Sequence, residues 1–189
     1  MARLLLKMPL AKINCVVFSD SVIHDMMISV KKHPRLETGG VYLGYRQNQT
    51  VYVIQSVDGG FKAVHQKAYF EYDQTYVQHC CDRLRDAYLE PIEPLGTWHR
   101  HPGSMDQFSN TDHVTNRAYA ELCNKSAIGV LVNIDPKIRL SVYSVQPRSN
   151  KGVVYNKIPY LIGNDYIPPI YFKKKSLHVL MSNIENQEA

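Results

Sequence analysis

Two histidines flank an arginine in Trp98-His99-Arg100-His101-Pro102, and after a six-residue spacer comes Ser109-Asn110-Thr111-Asp112. Far upstream, Glu37 stands beside the pair Gly39-Gly40. If residues 95–101 form a strand, the period-two alternation puts His99 and His101 on one face, with Trp98 and Arg100 on the other. Pro102 and Gly103 then end the strand, and Ser109 stands where a helix would begin, with Asp112 in its first turn. Two neutral imidazole nitrogens and one carboxylate oxygen suit a borderline-soft divalent ion. Three protein ligands leave a fourth tetrahedral position open, the arrangement of a catalytic rather than a structural zinc site.

Each part also has a plainer use. Ser-x-x-Asp ahead of an amphipathic helix is a capping box, in which Ser109 satisfies an orphan backbone N–H and the acid favours the helix dipole. His-x-His-Pro reads as a polar strand end, and Glu37 as a solvated acid at a helix-to-strand turn. What favours metal chemistry is the conjunction, since the separate explanations would all have to coincide.

With these residues the chain resembles the JAMM or MPN-plus metallopeptidases, whose pattern is an upstream Glu, His-x-His-Pro, a spacer and Ser-x-x-Asp. The likeness also takes in Glu37-Thr38-Gly39-Gly40-Val41-Tyr42-Leu43-Gly44 and extends over about residues 13–145. It implies an α/β (α+β) fold, a cytidine-deaminase-like helix-sheet-helix sandwich with a mixed central sheet. It also implies one zinc per chain and hydrolysis of the isopeptide or peptide bond after the C-terminal glycine of a ubiquitin-like protein. The roles implied are His99, His101 and Asp112 as ligands, Glu37 as general base and then acid, and Ser109 as oxyanion stabiliser. Chemistry supports each role. Zinc lowers the pKa of bound water to about 7, a carboxylate can accept its proton, and a hydroxyl can share the charge that develops on the carbonyl oxygen. Compact bacterial-type chains of this kind accompany ubiquitin-like conjugation operons, including anti-phage ones, by resemblance alone. Three rivals use the same residues. One is a peptidase that processes a sulfur-carrier protein. Another is the RadC-like branch tied to DNA repair, whose Asn between the histidines and Pro-Ser-Gly after the second are here Arg100 and Pro102-Gly103-Ser104. The third is a non-catalytic MPN scaffold, although scaffolds lack ligands that are all present here.

The elements that must position these residues are readable in outline. The 189 residues are 44% hydrophobic and 21% charged, ordinary for one globular unit, with the metallopeptidase domain expected over 1–146 and a C-terminal extension over 147–189 packed on or following it. Ser19 caps a first helix that stops before Pro34. A hairpin follows, with strands over 41–45 and 51–57 around a polar turn at 46–49. A second helix is expected over 73–89, a third over 110–124, and strands over 128–134 and 138–145. The Tyr- and Pro-rich stretch from 147 reads as irregular or edge segments, and Lys173-Lys174-Lys175 as a solvated run before a short terminal helix.

Residues 1–10 are too briefly apolar for a membrane span and poor as a signal peptide, so they read as a strand. Cys15, Cys80, Cys81 and Cys123 offer no Cys-x-x-Cys spacing and are expected to be reduced thiols in the cytoplasm. A net charge of +5 is too modest to indicate nucleic acid as a partner. Trp98 is expected in the core, and His24, His33, His65, His79, His113 and His178 as surface or packed imidazoles. The expected partner is an extended ubiquitin-like tail added as a strand beside an exposed edge, in a channel bordered by residues 58–68 and 103–108, Phe108 included.

Overall fold

The computed structural model describes residues 12–177 and Val179, apart from Ser104, Lys125, Asn150 and Lys151. The strand expected over 1–10, and most of the terminal helix, lie outside the described residues. An eight-stranded mixed sheet runs in the order β10-β1-β3-β2-β6-β7-β8-β9. Its strands are β1 (Cys15–Phe18), β2 (Thr38–Gln47), β3 (Thr50–Asp58), β6 (Glu93–Arg100), β7 (Ala127–Asn133), β8 (Arg139–Pro147), β9 (Val153–Lys157) and β10 (Tyr160–Ile162). A separate two-stranded ribbon pairs β4 (Val64–His65) with β5 (Phe70–Glu71). Strand β7 is apolar almost throughout and buried throughout, as a strand covered on both faces must be.

Three α-helices among the described residues cover the sheet: α1 (Asp20–Lys32), α2 (Gln74–Ala87) and α3 (Asn110–Leu122). Val22, Met26 and Val30 of α1 pack with Phe18, Tyr42, Trp98 and Val130. Alternation along β2 turns Val41 and Leu43 the other way, where they meet Val77 and Cys81 of α2. Helix α3 lies on this second face, its Ala120 against Ala127 and Val145. The helix-sheet-helix arrangement expected from the sequence is the one observed. No helix among the described residues is long and apolar enough to cross a membrane.

Three helix starts follow their capping residues. The Ser19 hydroxyl accepts from the Val22 amide at 3.4 Å, and the Asp73 carboxylate from that of Tyr76 at 3.1 Å, so Asp73 is a cap rather than the first helical residue. Ser109 caps α3. The first hairpin is tighter than its polar sequence suggests. Pairing carries β2 through Arg46 and Gln47, leaving Asn48-Gln49 as the turn, with Asn48 at φ 55°, a conformation Asn tolerates.

The stretch after 147 supplies both outer strands, β9 and β10. Just Ile158 and Pro159 separate them, and residues so few steps apart lie within roughly 11 Å. The two sides of the sheet are therefore drawn together. The Ile158 amide donates to Val142 at 3.0 Å, the Pro159 carbonyl accepts from Val16 at 3.2 Å, and Ile158 joins the cluster on the α1 face. The sheet thus curls around α1.

Candidate metal centre

Pairing between β2 and β6 sets the first distances. Thr38 lies opposite Arg100, Gly39 opposite His99 and Gly40 opposite Trp98, so Glu37, one residue before β2, arrives at the end of β6 where the histidines stand. The two glycines permit that approach. A Cβ on Gly39 would sit 2.7 Å from the Trp98 carbonyl oxygen, and one on Gly40 2.5 Å from that of Val57 while striking the Trp98 indole. Trp98 is buried on the α1 face and donates to Ser56 Oγ at 3.1 Å, a core residue as expected.

His99 Nε2 lies 3.2 Å from Glu37 Oε2, and the donor atoms of Glu37, His99 and His101 all fall within 4.8 Å of one another. His101 stands one position past the end of β6, because its strand ends at Arg100 rather than at 101. Asp112 reaches both imidazoles, with Oδ2 3.2 Å from His101 Nε2 and Oδ1 3.6 Å from His99 Nδ1. His99 therefore lies between two carboxylates, Glu37 on one nitrogen and Asp112 on the other. All four side chains are nearly buried, at 12% exposure for Glu37 and less for the rest.

The capping reading of Ser109-x-x-Asp112 is observed. The Ser109 hydroxyl accepts from the Asp112 amide at 3.2 Å, while Asp112 Oδ2 accepts from the Ser109 amide at 2.7 Å, a reciprocal capping box. That same Oδ2 faces His101, so the box holds the carboxylate against the imidazole pair.

Burial alone would raise the Asp112 pKa, but the His101 contact, the His99 charge and the two Ser109 bonds outweigh it and hold the carboxyl at about 2. For His101, burial opposes the charged ring and is outweighed by the bond and charge of Asp112 and the charge of Glu37, so its pKa is raised. Two buried carboxylates converging on two imidazoles form a nitrogen-and-oxygen donor set that fits a borderline-soft divalent cation, whose charge would offset both acids.

Sequence reasoning missed two supports. Arg100, placed on the face of Trp98, sends its guanidinium to the turn before Glu37, donating to the carbonyls of His33, Pro34 and Leu36 at 2.6–2.9 Å. His65, read as a packed or surface ring, stacks on His33 at 3.7 Å, and its Nδ1 lies 2.9 Å from the Glu37 carbonyl oxygen. The Glu37 amide donates to Gln66 at 2.7 Å. Two-residue strands carry no periodicity, so nothing in the sequence marks the β4–β5 ribbon.

Segment 58–68 therefore does lie beside Glu37. A cavity of about 210 Å³ borders it, lined by His33, Thr38, Asp58, Gly60, His65 and Tyr76 among others. Phe108 stacks on Tyr155 at 4.6 Å and helps line a narrow cleft of about 20 Å³ with Phe70, His99 and Asp112. His113 turns away from the histidine pair, with Nδ1 2.8 Å from the Tyr155 hydroxyl.

Residues 19–144 match the family described as prokaryotic homologs of the JAB domain. The chain is 31% identical over 87 residues to a protein of Sinorhizobium fredii named probable metalloprotease y4qB, an overlap of 46% of this chain and 53% of that protein. The match thus spans about half the length of that curated relative. The solution structure of protein DSY2949 from Desulfitobacterium hafniense aligns with a TM-score of 0.58 at 14% identity, covering 80% of this chain and 97% of the other, a likeness of fold.

Proposed function

The chain belongs to the prokaryotic homologs of the JAB domain, and on that premise we propose that it is a zinc-dependent peptidase that hydrolyses the bond after the C-terminal glycine of a ubiquitin-like protein. The observation that carries this reading is the convergence of Glu37, His99, His101 and Asp112 in one nearly buried cluster, from three separate elements. A relative named as a probable metalloprotease supports it further.

His99, His101 and Asp112 would hold the ion, one per chain, and Glu37 stands beside it. When bound, zinc supplies Lewis acidity and brings the pKa of a water to about 7. The Glu37 carboxylate accepts the proton of the attacking water and later delivers it to the departing amine. The Ser109 hydroxyl donates a hydrogen bond to the carbonyl oxygen as that oxygen gains charge. Phe70, edge-on to His99 with ring centroids 5.7 Å apart, and Phe108 narrow the approach, which suits a substrate tail of small residues. Resemblance to compact bacterial chains supports a cytoplasmic ubiquitin-like conjugation system, including one for anti-phage defence, as the setting.

The test is cleavage of ubiquitin-like fusions with a Gly-Gly junction by wild type and Glu37→Gln, with zinc content measured on both. Cleavage by wild type alone at equal zinc content is the expected result. Zinc without cleavage of any fusion would overturn the substrate assignment.

A further inference from the structure

We propose that Arg100 is a positioning residue that ties the turn carrying Glu37 to the strand carrying the two histidines. This rests on the proton-handling role proposed for Glu37. Arg100 is 1% exposed, and its three hydrogen bonds go to backbone carbonyls at the C-terminal end of α1 and the turn beyond it: Nη1 to His33 at 2.8 Å and Leu36 at 2.9 Å, Nη2 to Pro34 at 2.6 Å. The C-terminal end of a helix is the negative end of its dipole, so a cation there is favoured.

Stability alone is a poor reason for this arrangement. Arg100 Nε is buried without a hydrogen-bond partner, and a buried guanidinium with a donor unsatisfied is commonly less stable than an apolar side chain of similar size. What the guanidinium does provide is a rigid planar fork holding three carbonyls at once, which the single ammonium of lysine cannot reproduce.

Its place in the chain gives that fork its effect. Alternation along β6 sends His99 toward Glu37 and Asp112 and sends Arg100 to the opposite face, while the next residue, His101, returns to the metal side. The turn ends at Leu36, whose carbonyl Arg100 holds, and the next side chain is Glu37. Any shift of the turn against β6 therefore moves the Glu37 carboxylate relative to His99 Nε2, now 3.2 Å away. The metal side has its own support in β6 and the Ser109–Asp112 box and does not depend on this tether. Arg100 thus governs where the base stands, leaving the capacity to hold metal unchanged.

Arg100→Met keeps much of the volume and removes the fork, and Arg100→Lys keeps the charge with a single donor group. In metal-free protein, hydrogen exchange at the Leu36 amide, which donates to His33 at 3.2 Å, should quicken by about tenfold in Arg100→Met, with exchange inside α1 unchanged. Zinc affinity should stay within about threefold of wild type, while kcat on the fusion falls by about thirtyfold at unchanged KM, with partial recovery in Arg100→Lys. If Arg100→Met does not fold, Arg100→Lys carries the test, with smaller shifts in the same direction. Unchanged exchange at Leu36, loss of zinc together with kcat, or a wild-type kcat in a variant with a loosened turn would each overturn the proposal. If wild type cleaves no ubiquitin-like fusion, the substrate assignment falls by itself, and the exchange and zinc measurements still decide whether Arg100 holds the turn.

Discussion

The two acids of the site reach it by different means. Asp112 is delivered locally, by a capping box closed within four residues at the start of α3. Glu37 is delivered from a distance, through a β2–β6 register that brings it to His99, 62 residues away in sequence, a tether from Arg100 and contacts from His65 and Gln66 on the β4–β5 segment. Local devices form with little loop-closure cost and survive changes elsewhere, whereas a residue held by several long-range contacts inherits every displacement of its neighbours. The proposed ligand side of this site should therefore be robust and separable, and the proposed base side sensitive to remote substitution.

The largest effect that would sharpen this contrast is at Glu37 itself. Glu37→Gln removes a base without removing a proposed ligand, so kcat should fall by about 10³–10⁴ with zinc content unchanged, as read by steady-state cleavage and metal analysis. Metal loss in this variant would break the division between the two sides. Next come His99→Ala and Asp112→Asn, for which zinc affinity measured by competition with a chromophoric chelator should drop by about a hundredfold or more.

Ser109→Ala separates the two uses of one hydroxyl. Loss of a charge-stabilising donor should slow the chemical step by about a hundredfold, and loss of the cap should cost about 1 kcal/mol in denaturant unfolding. A fall in stability without a kinetic effect would leave capping as its sole role. The smallest effect is expected at His65→Ala, where one hydrogen bond to the Glu37 carbonyl is lost. A kcat lower by about fivefold, with zinc affinity untouched, corresponds to about 1 kcal/mol for such a bond.

Legibility followed the same division. The start of α3, the shared face of His99 and His101, and the burial of Trp98 opposite them all follow from rules that operate within a few residues. The polarity of residues 46–49 predicts a wider turn than the one at Asn48-Gln49, because cross-strand pairing draws Arg46 and Gln47 into β2. The β4–β5 ribbon went unseen. Its four residues show no period, and it exists through contacts to the Glu37 turn and through its own Phe70, which packs on Tyr72 and faces His99.

By itself, the sequence determined the chemistry available and half of its placement: two imidazoles on one strand face, a carboxylate in the first turn of a capped helix, and an acid beside a pair of glycines. Only the tertiary structure decided that Glu37 meets His99, that Arg100 reaches across to the end of α1, and that the sheet curls until β9 and β10 are joined by two residues. The physical reason is range. Alternation and capping are settled by backbone geometry among near neighbours, whereas strand register, buried tethers and sheet closure depend on which distant surfaces are buried together, a property of the whole packed chain.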